Sequence, residues 1–192
     1  ITGVYIDKEN ARSFKIGVLN PSYSPENAII TRIALSLKRE SQLYDVVETE
    51  PSIEEGLLIQ KGESLNITCL KVQKEGVNFT FGGFAGDLAG RTVVVHVFSS
   101  VAVAANMEVT LPFVNLQITD TNFDPKVSFK NFTITMMNDA DSEITLTINE
   151  IIVPGVELTG ISPGLPQSLE NGTSVNFIFN GSWHELIGTR LA

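Results

Sequence analysis

The chain has 192 residues, 43% hydrophobic and 18% charged, which is apolar enough for a packed core and too weakly charged for a disordered chain. Thirteen Lys/Arg against 22 Asp/Glu give a net charge of −9, which argues against a nucleic-acid partner, because phosphate binding needs a basic face. No apolar run reaches the roughly eighteen residues of a membrane-spanning helix, since Val93–Ala105 is broken by His96, Ser99 and Ser100.

In chain order, the first element is Ile1-Thr2-Gly3-Val4-Tyr5-Ile6, apolar and β-prone, ending at the charged Asp7-Lys8-Glu9. Ile1 in place of Met means either a trimmed chain or removal of an N-terminal segment such as a signal peptide, and the second reading, with secretion, is the expectation. Phe14, Ile16 and Val18 then alternate with Lys15 and Gly17, the period of a half-buried strand. Over Ala28–Glu40 the β-branched Ile29, Ile30, Thr31 and Ile33 favour strand over helix. Leu65, Ile67 and Cys69 alternate with Asn66 and Thr68, which turns Cys69 inward as a small buried hydrophobe. Phe79 and Phe81 are expected inward about Asn78 and Thr80, and Gly82, Gly83, Gly86 and Gly90 read as turns. Arg91–Val97 reads as a closing strand with His96 outward. Leu116 and Ile118 open the second half, followed by the alternating runs Phe132-Ile134-Met136 and Val175-Phe177-Phe179. Turn-formers separate these runs, among them Asn20-Pro21-Ser22, Pro154-Gly155, Pro163-Gly164 and Asn180-Gly181. The pattern predicts an all-β chain of antiparallel sandwiches.

The residue inventory offers little chemistry. Two His and one Cys make neither an intramolecular disulfide nor a convincing metal shell. Gly160-Ile161-Ser162-Pro163-Gly164 matches the nucleophile-elbow pattern as text, but Pro163 lacks the N–H that an oxyanion hole needs and breaks the helix that should follow. Asp120-Thr121-Asn122-Phe123-Asp124 begins like a calcium loop, yet Pro125 stands where glycine makes the sharp turn and Asn131 where the bidentate Glu belongs. The glycine cluster lacks the Lys-Ser/Thr ending of a phosphate loop. No catalytic, cofactor-binding or metal-binding residue is assigned, and the chain reads as a non-enzyme.

Five N-x-Ser/Thr acceptors occur, at Asn66, Asn78, Asn131, Asn171 and Asn180. Residues i and i+2 of a strand share a face, so in the first three the Asn and its Thr share the polar face and an N-linked glycan would project outward.

The sequence also matches itself. At an offset of 118 residues Phe14, Ile16, Asn20, Ile30 and Ile33 meet Phe132, Ile134, Asn138, Ile148 and Ile151; at 110, Gly62, Ser64, Leu65 and Asn66 meet Gly172, Ser174, Val175 and Asn176; at 98, Leu88 and Gly90 meet Leu186 and Gly188. This predicts two tandem domains, 1–104 and 105–192, with net charges of −2 and −7. After Gly90 the first copy runs on through Val95 and Val97, whereas after Gly188 the second has only Thr189-Arg190-Leu191-Ala192. The second sandwich is therefore expected to lack its last strand and to expose a groove lined by Phe177, Phe179, Leu186 and Leu191. A neighbouring copy can fill such a groove by strand donation, with residues 1–7 as the candidate donor through Ile1, Val4, Tyr5 and Ile6. Head-to-tail donation does not close on itself and generates a filament.

In this arrangement of a free N-terminal strand, two sandwiches, an unfinished end and several sequons, the chain resembles the subunits of archaeal thread filaments. The resemblance implies pilin-like, Ig-like domains in an extracellular, N-glycosylated surface pilus, joined by donor strands, serving adhesion and having no enzymatic role. Its partners would be identical subunits and N-linked glycans. It further implies an acidic habitat, in which protonated carboxylates would carry the formal charge from −9 toward +15. Two alternatives stand beside it. Val4 and Ile6 can instead form the first domain's own opening strand, and the chain can be a tandem Ig-like spacer or binding module of a longer surface-layer protein.

Overall fold

The computed structural model describes residues 1–8, 12–100 and 104–184. The fold is all-β and antiparallel in every strand pair, and it divides into two units, Ile1–Phe113 and Val114 onward.

In the first unit the strands are β1 (Gly3–Ile6), β2 (Phe14–Leu19), β3 (Ala28–Leu37), β4 (Tyr44–Glu50), β5 (Leu57–Ile59), β6 (Ser64–Lys74), β7 (Val77–Thr80), β8 (Thr92–Ser99) and β9 (Ala104–Thr110). Their order is β1-β2-β6-β4-β3-β8-β9, with β5 on β3 and β7 on β6. Strand alternation puts Phe14, Ile16, Val18, Ile67 and Cys69 on one inner face and Ile33, Leu35, Leu37, Val93, Val95 and Val97 on the other, and these side chains make one core. β4 belongs to both layers, pairing β3 at Ala34↔Asp45 and β6 from Val46 onward, with register shifts that let it bend from one to the other. A short helix, α1 (Phe81–Gly86), closes one end: its buried Phe81 and Phe84 lie against Phe14 and Tyr44, with ring centroids 4.7 and 5.1 Å apart.

Three expectations change here. Phe81-Gly82-Gly83 is helical rather than a turn, because Phe81 and Phe84 at i and i+3 share the face that the core covers. Phe79 is 38% exposed, not inward, since β7 is exposed along its whole length. The domain boundary lies at 113/114 instead of near 104, because β9 pairs with β8 along its length, from Phe98↔Ala104 to Thr92↔Thr110, and its Val109 joins the first core.

The second unit contains β10 (Leu116–Asn122), β11 (Asn131–Asn138), β12 (Leu146–Ile148), β13 (Gly160–Ser162), β14 (Gln167–Leu169) and β15 (Ser174–Asn180). One sheet runs β10-β11-β15-β13, and β12 pairs with β14 beside it. Its core is aromatic: Phe132 stacks between Phe123 and Phe179 at 4.6 and 4.8 Å, and Trp183 meets Phe123 edge-on at 5.4 Å.

The internal repeat is visible in the hydrogen bonds. Phe14 lies opposite Cys69 as Phe132 lies opposite Phe179. Buried Asn20, just past β2, donates from Nδ2 to the carbonyls of Glu26 and Ile59, both at 3.1 Å. Buried Asn138, closing β11, donates from Nδ2 to Ile144 at 2.9 Å and Leu169 at 3.1 Å. In each case the main chain of the Asn pairs with the turn that leads into its partner strand: Asn20 N–H with Glu63 O and Gly62 N–H with Asn20 O, Asn138 N–H with Thr173 O and Gly172 N–H with Asn138 O. Gly62 and Gly172 sit at φ +81° and +71°, a conformation that glycine adopts without strain.

Each Asn thus ties the end of a core strand to a loop and to the strand of the facing layer. Replacing Asn20 or Asn138 by alanine is expected to destabilise its own unit by about 1–3 kcal/mol, the cost of buried carbonyls left without a donor. The two losses should be independent because the units have separate cores. Urea melts of the two single variants and the double variant check this.

Candidate assembly edge and glycan acceptors

A sheet with one apolar face is stable only when a second layer covers it. In the first unit β8 and β9 extend that layer beyond β3, leaving Val93, Val95 and Val97 almost fully buried. Leu111 and Val109 then close over the same core that receives Val4 and Ile6 of β1.

The second unit differs at the corresponding places. β12, the counterpart of the start of β3, pairs with β14 on one side, and among the described residues no strand pairs with its other side. β10 occupies the position of β1, pairing with β11 as β1 pairs with β2. Leu116 and Ile118 stand opposite buried Asn138 and Met136, and directly opposed residues share a face, so both point to the core side. They are nevertheless 47% and 61% exposed. The open part of this unit is therefore the core-side flank of β10 together with the free edge of β12.

Two of the expected groove residues lie in the core. Phe177 and Phe179 are wholly buried, held beneath the aromatic stack, and do not line an open groove. Leu186 and Leu191 lie outside the described residues. Leu116 and Ile118 were legible only as a strand opening, because alternation shows which face a residue points to and not whether anything covers it.

The expected donor strand is also placed differently. Gly3–Ile6 pairs with β2 of its own chain, Val4 opposite Ile16 and Ile6 opposite Phe14, and Ile1, Val4 and Ile6 pack against the first core, whereas Tyr5 turns outward. The alternative reading of this segment, as the first domain's own edge strand, is the one the single chain adopts.

All five sequon asparagines are exposed: Asn66 on β6, Asn78 on β7, Asn131 at the start of β11, Asn171 in the turn before β15 and Asn180 at the end of β15. Asn78 accepts a hydrogen bond at Oδ1 from Gln73 Nε2 at 3.2 Å.

One polar row has the atom order of a nucleophile, a base and an orienting group. Ser36 Oγ lies 2.8 Å from His96 Nε2, and His96 Nδ1 lies 2.8 Å from Asn106 Oδ1. These residues come from β3, β8 and β9, neighbours in the sheet, and the strand ladders engage the backbone around them. Ser36 is buried in a regular strand, without the exposed strand-to-helix turn that presents a nucleophilic serine. The row acts as a cross-strand polar clamp. Ser162 of the elbow-like pattern sits on edge strand β13, opposite Ile178. Asp124 caps its own turn, Oδ1 accepting from Lys126 N–H at 2.9 Å, and no group of three His, Cys, Asp or Glu able to hold a metal occurs among the described residues.

Neither a protein-family model nor a curated protein matches this sequence.

Cys69 is fully enclosed between β2 and β4, and burial pushes its thiol up to about 12. A raised value keeps the thiol protonated through neutral pH and above, so the native protein should resist thiol reagents at pH 8 and react once unfolded. Stopped-flow labelling with and without denaturant measures the difference, expected to exceed about a hundredfold because only the thiolate attacks.

Proposed function

We propose that this chain is a structural subunit of a glycosylated extracellular filament in which a strand from a neighbouring copy completes the second unit. The observation that carries this reading is the uncovered flank of β10 and free edge of β12, at places which β8 and β9 cover in the first unit. An exposed apolar flank and an unpaired strand edge are each costly to leave open, and strand addition is a way to relieve such costs.

The N-terminal strand remains the candidate donor. Among the described residues β1 is strand-paired on one side only, along Gly3–Ile6, and its alternation of Val4 and Ile6 with Tyr5 suits a site with one buried face. Donation would give up the β1–β2 ladder and the packing of Ile1, Val4 and Ile6 on the first core, to be offset by the pairing and burial gained in the neighbour's second unit. Glycans on exposed sequons would clothe the faces that stay outside. Adhesion or cell–cell contact is the role that fits such a filament.

The pairing of β1 within its own chain favours a second reading, a tandem spacer of a longer surface protein. Two variants separate the readings. Deleting residues 1–7 tests the donor, and Ile118→Asp tests the acceptor flank while touching a side chain that the isolated unit leaves exposed. Under assembly conditions, electron microscopy and light scattering should show filaments from the unaltered chain and monomers from both variants. Ile118→Asp should change the unfolding free energy by less than about 1 kcal/mol, as expected for an exposed site. Filaments of normal appearance from the deletion variant rule out donation from this end, and normal filaments from both variants rule out the strand-addition reading.

A further inference from the structure

Two of the five sequons meet in space. Asn131 and Asn180 are direct partners across the β11–β15 ladder, so their side chains leave the same outer face. Directly opposed Cβ atoms are about 5 Å apart, which is too close for two branched sugars to stand side by side without crowding. The backbone gives neither residue room to retreat. Trp183 Nε1 donates to Asn131 O at 3.1 Å and Gly181 N–H to Lys130 O at 2.8 Å, while Asn180 O accepts from Thr159 N–H at 2.7 Å and from its Oγ1 at 3.1 Å.

The pair is not symmetric. On its other side Asn180 faces Gly160 of β13, and a Cβ at Gly160 would lie 3.1 Å from Asn180 Nδ2. The amide nitrogen of Asn180 therefore reaches over a position without a side chain. Beyond the pair the outer face continues with Thr133, Ile178, Thr135 and Asn176, uncharged groups suited to neutral sugar hydroxyls.

We propose that Asn131 and Asn180 form one composite acceptor that carries a single N-linked glycan, borne on Asn180 over Gly160, with Asn131 left unmodified beside it. This rests on the reading of the chain as a glycoprotein. In the transfer, Asn180 Nδ2 bonds to the anomeric carbon of a lipid-linked glycosyl phosphate or diphosphate. The anomeric C–O bond to phosphate breaks, and one amide proton leaves with the released phosphate; no electrons are exchanged. Chains modified at both positions must fold with two glycans on adjacent strands, and they are depleted from the folded protein.

Glycopeptide and intact-mass spectrometry on the folded full chain, produced in a host that modifies N-x-Ser/Thr, tests this, with Asn66, Asn78 and Asn171 as internal controls. The expected result is glycan at Asn180, little at Asn131, and doubly modified molecules at least about fivefold below the product of the single occupancies, equivalent to about 1 kcal/mol of crowding. Gly160→Val should move the glycan from Asn180 to Asn131, and Asn180→Gln, which leaves the strand ladder intact, should raise occupancy of Asn131. Double modification at the product of single occupancies, or a glycan predominantly on Asn131 in the unaltered chain, overturns the composite site while the control sequons still report a glycoprotein. Bare asparagine at all five positions overturns the glycoprotein reading, and the composite site falls with it.

Discussion

The apolar face of a β-sheet has to be covered, and the way each unit meets that demand decides most of its architecture. The first unit meets it within its own sequence. β3 is long enough to carry β8 along most of its length, β8 carries β9, and the layer so formed closes over β2 and β6 with Val93, Val95 and Val97 almost fully excluded from solvent. The second unit has the same two opening strands and the same clamp, but β12 spans only Leu146–Ile148, and the described residues supply no strand beyond it. The covering demand is met there over Phe132, Phe177 and Phe179 and left unmet at Leu116 and Ile118. Among the described residues the second layer is shorter than the first, and that is where the proposed added strand would find its place.

The buried asparagines explain why two copies with different connections keep the same frame. A side-chain amide enclosed among carbonyls is costly unless its donors are used, and Asn20 and Asn138 each use both N–H groups on carbonyls from a following loop and a facing strand. The bonds reach across 39 residues in the first unit and 31 in the second, so the shorter connections of the second copy leave the clamp intact. Asn138 Oδ1 is buried without a partner among the described residues, so the second clamp is the less fully satisfied of the two.

Much of this frame was legible in the sequence, for a physical reason. Period-two alternation reports which residues share a face, and it placed Phe14, Ile16, Cys69, Phe132 and Ile134 correctly in their cores. The weak self-match placed Asn20 on Asn138 and Gly62 on Gly172, which are equivalent in hydrogen bonding. Alternation is silent on which layer lies across the core. It therefore misplaced the groove at Phe177 and Phe179, which aromatic stacking covers, and put the domain boundary near 104 although β9 begins at Ala104. The helix at Phe81 had no warning in its three glycines; its Phe81–Phe84 spacing was the signal. The Ser36–His96–Asn106 row was beyond reach, since it depends on the register of three strands.

Charge separates the two units further and bears on how they can associate. The surface of the first unit carries the ion pairs Arg32–Asp45, Lys38–Glu108, Lys71–Glu48, Lys74–Asp87 and Arg91–Glu40. All ten side chains are exposed, and pairs of that kind contribute little to stability and are screened by salt. In the second unit the outer sheet face presents Thr133, Ile178, Thr135 and Asn176, and the open flank presents Leu116 and Ile118. A strand added at that flank would gain backbone hydrogen bonds and apolar burial, both insensitive to ionic strength. Association through this unit would therefore be governed by shape and register more than by charge.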